Sequence, residues 1–315
     1  MRIVDTQTTR RELPFAKLIE ALRALFVQGC EVPLRHSHRV DVPGGEAGTV
    51  LLMPAWRSGR RFGLKTVSIF PGNAALGLPG LHATYTLFDA ATGVPLAQLD
   101  GAEITARRTA AASALAASYL ARGDASSLLI VGAGRVGSLL AQAMQEVRPL
   151  RSVTVWNRDP LRAQQLAAGL ATQGFNARAT DHLERAACEA DIVSCATLSH
   201  TALIRGTWLR PGTHLDLIGS FMPAMRESDA QCFARASVFV DTPEALAKAG
   251  DVLQAVSEGA FSAEQLQGTL AQLCRGERPG RTAALQITLF KSVGTALEDL
   301  AAAELVWDAL VPQDA

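Results

Sequence analysis

Apolar residues recur along this chain in three successive rhythms. Over 12–29 they stand at helical spacing, with Leu13, Leu18, Ile19, Leu22, Leu25 and Phe26 on one stripe. That pattern predicts an amphipathic helix ending near Gly29. Short β-prone runs follow at 49–53, 64–70, 84–88 and 95–99, separated by turn-forming stretches at 58–61, 71–73 and 91–93. Consecutive strands without helices between them predict an antiparallel or mixed sheet. The alanine-rich stretch 102–121 reads as a long helix, because alanine loses no side-chain entropy there. Beyond it, candidate strands at 128–132, 152–156, 175–179, 191–196, 214–218 and 237–241 alternate with helical segments. This third rhythm predicts a doubly wound, parallel α/β sheet. A last β-like run at 287–290 precedes an amphipathic helix over 292–310.

Composition narrows the class. The 315 residues are 48% hydrophobic and 19% charged, with 30 basic and 30 acidic side chains. Such a length suffices for two domains, each with its own core. A balanced charge leaves no basic field for nucleic acid or an anionic membrane. No uninterrupted apolar run approaches the roughly 20 residues of a membrane span. The opening MRIVDTQTTRREL carries charges where a secretory signal has its apolar centre, so the expected location is the cytoplasm. Five scattered cysteines without a C-x-x-C predict free thiols. His36 and His38 form the one close histidine pair, and with no third ligand nearby no metal is expected.

The chemistry first shows in SSLLIVGAGRVGSLLAQAMQEVRPLRSVTVWNR, residues 126–158. A β-like run leads into Gly132-Ala133-Gly134-Arg135-Val136-Gly137, a G-x-G-x-x-G that opens a helix, and a second β-like run ends at Trp156. In this context Gly132 permits the tight turn, Gly134 lets backbone approach a pyrophosphate, and Gly137 lets helix and strand pack closely. The helix N-terminus adds free N–H groups and partial positive charge. Together they predict a dinucleotide site that includes Arg135 and Val136. An NAD site usually carries Asp or Glu at the end of the second strand. Here Asn157 takes that position and Arg158 follows, a guanidinium suited to a 2′-phosphate. NADP(H) is therefore the preferred cofactor and NAD(H) the alternative, with Arg158 then a surface residue and Asp159 serving the ribose.

Four further stretches carry a family resemblance: FGLKTVSIFPGN at 62–73, DGAEITARRTAAASALA at 100–116, LIGSFMPAMRESD at 217–229 and ITLFKSVGTALEDLA at 287–301. With the glycine turn, they closely resemble the ornithine cyclodeaminase/mu-crystallin family. The resemblance implies a Rossmann domain over 123–287. It also implies an α+β substrate-binding and dimerisation domain built from both chain ends, 1–122 and 288–315, and a homodimer. Lys65 stands at the family's active-site lysine and Arg108 at its substrate- and cofactor-contacting arginine, which makes these the expected catalytic pair. Lys65 also lies in an apolar strand, a poor place for an unpaired lysine. Arg35 matches another carboxylate-binding arginine. Thr84, Thr197, Gly219 and Ser292 resemble cofactor contacts, while Ser292 and Val293 resemble residues closing the pocket. Arg107 is expected to face solvent, since neighbouring helix positions diverge by about 100°. Lys291, Glu298 and Asp299 read equally well as surface charges and are not counted in the site. His82 and His214 read as structural.

One departure bears on the reaction. Cyclodeaminases of the family have a G-x-D-x-P arrangement whose aspartate handles the attacking amine. This chain has Gly219-Ser220-Phe221-Met222-Pro223, and the Phe221 ring can neither accept a hydrogen bond from an ammonium nor act as a base. The resemblance therefore implies an NAD(P)H-dependent oxidoreductase of cyclic imino acids, with Phe221 lining a pocket for a ring without a free amine. Δ1-Pyrroline-2-carboxylate or Δ1-piperideine-2-carboxylate would yield proline or pipecolate. Ornithine cyclodeaminase and an alanine-type amino acid dehydrogenase are the enzymic alternatives. A non-catalytic NADPH-dependent binding protein is the other.

Overall fold

A computed structural model describes residues 1–311. The chain divides into two compact units, Met1–Arg108 with Thr295–Ala315, and Thr109–Gly294.

The first unit begins with β1 (Arg2–Val4), α1 (Thr6–Arg11) and α2 (Phe15–Gln28). Strands β2 (His36–Val40), β3 (Gly48–Arg57), β4 (Arg61–Ile69), β5 (Leu81–Asp89) and β6 (Pro95–Asp100) follow. They form a six-stranded sheet in the order β1-β6-β5-β4-β3-β2, antiparallel except for β1 against β6. Period-two alternation sorts its faces. Gly63, Lys65 and Val67 of β4 are buried with Tyr85 and Leu87 of β5, while Phe62, Leu64 and Thr66 are half-buried on the other face. Helix α3 (Gly101–Leu120) leaves β6, and the boundary between the units falls inside it.

The second unit holds β7 (Ser127–Val131), α4 (Gly137–Gln145), β8 (Ser152–Trp156), α5 (Pro160–Thr172), β9 (Ala177–Ala179), α6 (Leu183–Glu189) and β10 (Ile192–Cys195). Then come β11 (His214–Leu217), α7 (Ala230–Arg235), β12 (Ser237–Val240), α8 (Ala245–Lys248), α9 (Gly250–Ser257), β13 (Gly268–Thr269), α10 (Leu270–Cys274) and β14 (Thr288–Lys291). The eight strands are all parallel, in the order β13-β12-β14-β11-β10-β7-β8-β9. This is a doubly wound Rossmann-type sheet. Strand order reverses beside β7, so the crevice at the carboxyl ends of β7 and β10 is where such folds take ligands.

Two expectations change here. Strand β14, grouped by sequence with the terminal segment, pairs between β11 and β12 through Leu215↔Leu289 and Phe239↔Phe290. Its four buried residues suit a central strand. Helix α11 (Ala296–Leu310) returns to the first unit, where it packs on α2 and crosses β3, β4 and β5. It is not amphipathic: Ala296 to Glu304 are buried without interruption, Glu298 and Asp299 included.

Candidate active site

In the second unit the G-x-G-x-x-G turn joins β7 to α4. Gly132 has φ +110°, and a Cβ at Gly137 would stand 2.1 Å from the Gly132 carbonyl oxygen. Neither position accepts a larger residue without moving backbone. Gly134 is exposed, with nothing within 4 Å of where its Cβ would be. That open approach beside a helix start without a side-chain cap fits a pyrophosphate. Val136 is half-buried and Arg135 exposed beside the turn. Asn157 Oδ1 accepts the Ala133 N–H at 3.2 Å, tying the end of β8 to the turn. Arg158 is exposed next to it, so the residues present fit a dinucleotide whose ribose meets no acid at position 157.

A second cluster lies at the carboxyl ends of β10, β11 and β14. Glu227, fully buried, accepts the Thr197 N–H at 2.6 Å and its hydroxyl at 2.8 Å on one oxygen. Lys291, also fully buried, donates to the Gly219 carbonyl and lies 3.4 Å from Asp251. Asp251 in turn accepts the Glu227 and Ser228 N–H groups, each at 2.9 Å. Burial pushes the Glu227 carboxyl up to about 7, against the pull of Lys291 and with Asp251 reinforcing it. Ser220 stands in the left-handed region at φ +55°, held by its hydroxyl to the Met225 carbonyl at 2.8 Å. Phe221, next along, is 43% exposed. Ser292 is buried and its N–H reaches the Leu217 carbonyl, while the Val293 and Gly294 N–H groups converge on Asp241.

The first unit holds the cations. Lys65, on the covered face of β4, is 2% exposed and meets Asp299 Oδ2 at 2.5 Å. Arg108 places Nε 3.0 Å from Asp299 Oδ1 and Nη1 2.6 Å from Glu298 Oε2. Burial drives the Lys65 ammonium down to about 8, with Asp299 opposing and Arg108 adding to the fall. Burial works against the Asp299 carboxylate too, but Lys65 and Arg108 outweigh it and hold its pKa below the usual range. Glu298 and Asp299 are thus core ion partners rather than surface charges. Lys291 is likewise buried.

Arg107 also departs from expectation. It is buried, its guanidinium lying 4.3 Å from the Phe15 ring centroid, with Nε donating to the Leu13 carbonyl at 2.8 Å. Arg35 is half-buried in the segment before β2. Thr84 is exposed on β5, opposite Thr66 and Asp100. His214 is a buried structural residue: Nδ1 pairs with Thr288 Oγ1 at 3.0 Å, and burial holds its pKa down to about 3. Among the described residues no helix is long and apolar enough to cross a membrane, and no group of three or more His, Cys, Asp or Glu side chains is placed to hold a metal. The sequence reading missed Glu227, Asp251, Glu298 and Asp299. For Glu298 and Asp299 the available signal was two adjacent acids in a helix otherwise apolar but for Glu304, ALEDLAAAELV.

A sequence model of the ornithine cyclodeaminase/mu-crystallin family matches residues 3–314. A Δ1-pyrroline-2-carboxylate reductase of Paracoccus denitrificans is 40% identical over 296 residues, spanning 93% of this chain and 92% of its own. Thermococcus litoralis Δ1-pyrroline-2-carboxylate reductase in complex with NADH and L-proline has a similar structure. It aligns with a TM-score of 0.90 at 31% identity, over 98% of this chain and 97% of its own. An archaeal alanine dehydrogenase dimer with bound NAD gives 0.89 at 27% identity, over 98% and 95%.

Proposed function

The chain belongs to the ornithine cyclodeaminase/mu-crystallin family, and on that premise we propose that it reduces cyclic α-imino acids with NADPH in preference to NADH. The substrates are of the Δ1-pyrroline-2-carboxylate or Δ1-piperideine-2-carboxylate type. One observation carries the reading: two buried cations, Lys65 and Arg108, share the Asp299 carboxylate, while Phe221 stands where a cyclodeaminase has its acid. Bound nicotinamide supplies the hydride that converts C=N to CH–NH. The residues of the chain bind and orient. The glycine turn with Arg135 and Val136 receives the pyrophosphate, Arg158 beside Asn157 favours a 2′-phosphate, and Thr84, Thr197, Gly219 and Ser292 serve the rest of the cofactor. Lys65 and Arg108, with Arg35, hold the substrate carboxylate, and Phe221 and Val293 offer apolar surface to the ring. A protonated imine is already electrophilic, so positioning supplies much of the rate. Lys65, held near about 8, still carries a proton at neutral pH.

We further assign substrate binding and dimer formation to the first unit and the cytoplasm as its location. Trp56, Phe62, Leu64 and Phe88, one face of the six-stranded sheet, are only half-buried. A relative in this family is an alanine dehydrogenase dimer.

The test is loss of reduced-nicotinamide absorbance with Δ1-pyrroline-2-carboxylate and each of NADPH and NADH. Proline formation, faster with NADPH, is expected. The Lys65→Met variant should lose about two orders of magnitude or more in turnover while binding cofactor as before. Absence of oxidation together with proline release from ornithine and NAD would overturn the reading in favour of cyclodeamination.

A further inference from the structure

Asp299 spans the two cations of the first unit, with one oxygen on each. Lys65 Nζ lies 2.5 Å from Oδ2 and Arg108 Nε 3.0 Å from Oδ1. The three side chains are between 0 and 8% exposed. Buried ion pairs are poor sources of stability, since desolvation offsets their attraction, so stability alone does not account for this grouping. The chain is also sparing with lysine: Lys17, Lys65, Lys248 and Lys291 are its four among 30 basic residues.

We propose that Asp299 is a positioning residue, a single carboxylate that sets the spacing of Lys65 and Arg108 and keeps Lys65 charged, and so acts on an anionic substrate through them. This rests on the reductase reading above. Asp299 and Glu298 of α11, Arg108 and Thr105 of α3 and Tyr85 of β5 surround Lys65, with Glu304 and Arg57 beyond. Burial is the largest influence on the Lys65 ammonium and favours the neutral amine; Asp299 is the largest influence against it, and Arg108 sides with burial. Removing the Asp299 charge therefore leaves burial and Arg108 with only the smaller pull of Glu298 in opposition.

Four lysines make the test direct. Lysine-selective isotope labelling of the full chain, with the Lys65 resonance assigned from its loss in Lys65→Met, gives the titration of each ammonium by NMR. In Asp299→Asn the Lys65 titration should fall by about one pH unit or more, with the other lysines unmoved. The alkaline limb of kcat/KM for Δ1-pyrroline-2-carboxylate should move by the same amount, and KM for the imino acid should rise while that for the cofactor holds. An unchanged Lys65 titration overturns the proposal. Should Asp299→Asn fail to fold, Asp299→Glu serves: its longer arm should displace the Lys65 resonance and titration, and wild-type values for both overturn the proposal. If the wild type turns over no imino acid, the reductase reading fails, while the NMR titration still decides whether Asp299 sets the Lys65 charge.

Discussion

Glu227 has one oxygen fully engaged by Thr197 and another, equally buried, without a hydrogen-bond partner. Its pKa is raised from 4.5 to about 7, so between those values the folded state binds more protons than the unfolded chain. The associated stability is fully present below pH 4.5 and is lost as pH rises through 7. Glu227→Gln abolishes that titration. Urea denaturation at pH 5 and pH 8 should therefore show the variant gaining on the wild type by about 2 kcal/mol across the interval. Parallel pH dependences would refute the assignment. Residues at this scale were unevenly legible. The glycine turn was read from its spacing between a strand and a helix, Lys65 from an apolar strand that suits no unpaired lysine as well as from the family motif, and Arg108 from the family motif alone. Arg107 misled because the 100° rule gives direction but not environment: solvent lies opposite Arg108 only if the helix has a wet side, and α3 is covered there. Glu298 and Asp299 misled because acids in a helix's first turn are ordinary favourable partners of the helix dipole. Only the folded chain brings Lys65 and Arg108 to them.

The C-terminal end of α3 shows how an element is finished by distant residues. Arg148 donates Nη2 to the Ala117, Ser118 and Ala121 carbonyls at 2.7, 2.9 and 2.8 Å. Arg281 Nε and Thr288 Oγ1 both reach the Leu120 carbonyl, at 2.7 and 2.8 Å. Cations here satisfy the last carbonyls and oppose the negative end of the helix dipole. Arg148→Met should destabilise the protein by about 2–4 kcal/mol, read from denaturant midpoints, and a shift within experimental error would show the cap to be idle. The five-residue β7 and β8 were readable from their apolar, β-branched content, and α2 and the longer strands β3 to β5 because hydrophobic spacing there runs long enough to set a period. β1, α1 and β13 were not: two to six residues carry too few apolar positions for one. Helix α11 looked amphipathic because its acids Glu298 and Asp299 could stand on a wet face, whereas both are buried.

For the whole molecule, the proposed dimer makes a separate prediction. Trp56→Glu puts a charge on the half-buried face of the six-stranded sheet. Sedimentation should then move from dimer to monomer, whereas a variant that still sediments as a dimer would place the interface elsewhere. Sheet order was the least legible feature, because hydrophobic pattern identifies a strand without naming its neighbours. β14 illustrates this: its sequence position joins it to α11, and its hydrogen bonds join it to β11 and β12. The position of β14 also governs how the chain comes off the ribosome. Until residues 288–291 emerge, β11 and β12 have no partner between them, and the nascent sheet exposes two buried-type edges. The first unit waits still longer for α11 and, with it, for the carboxylates that neutralise Lys65 and Arg108. Both units therefore close late and nearly together, and translation halted before β14 would leave neither one complete.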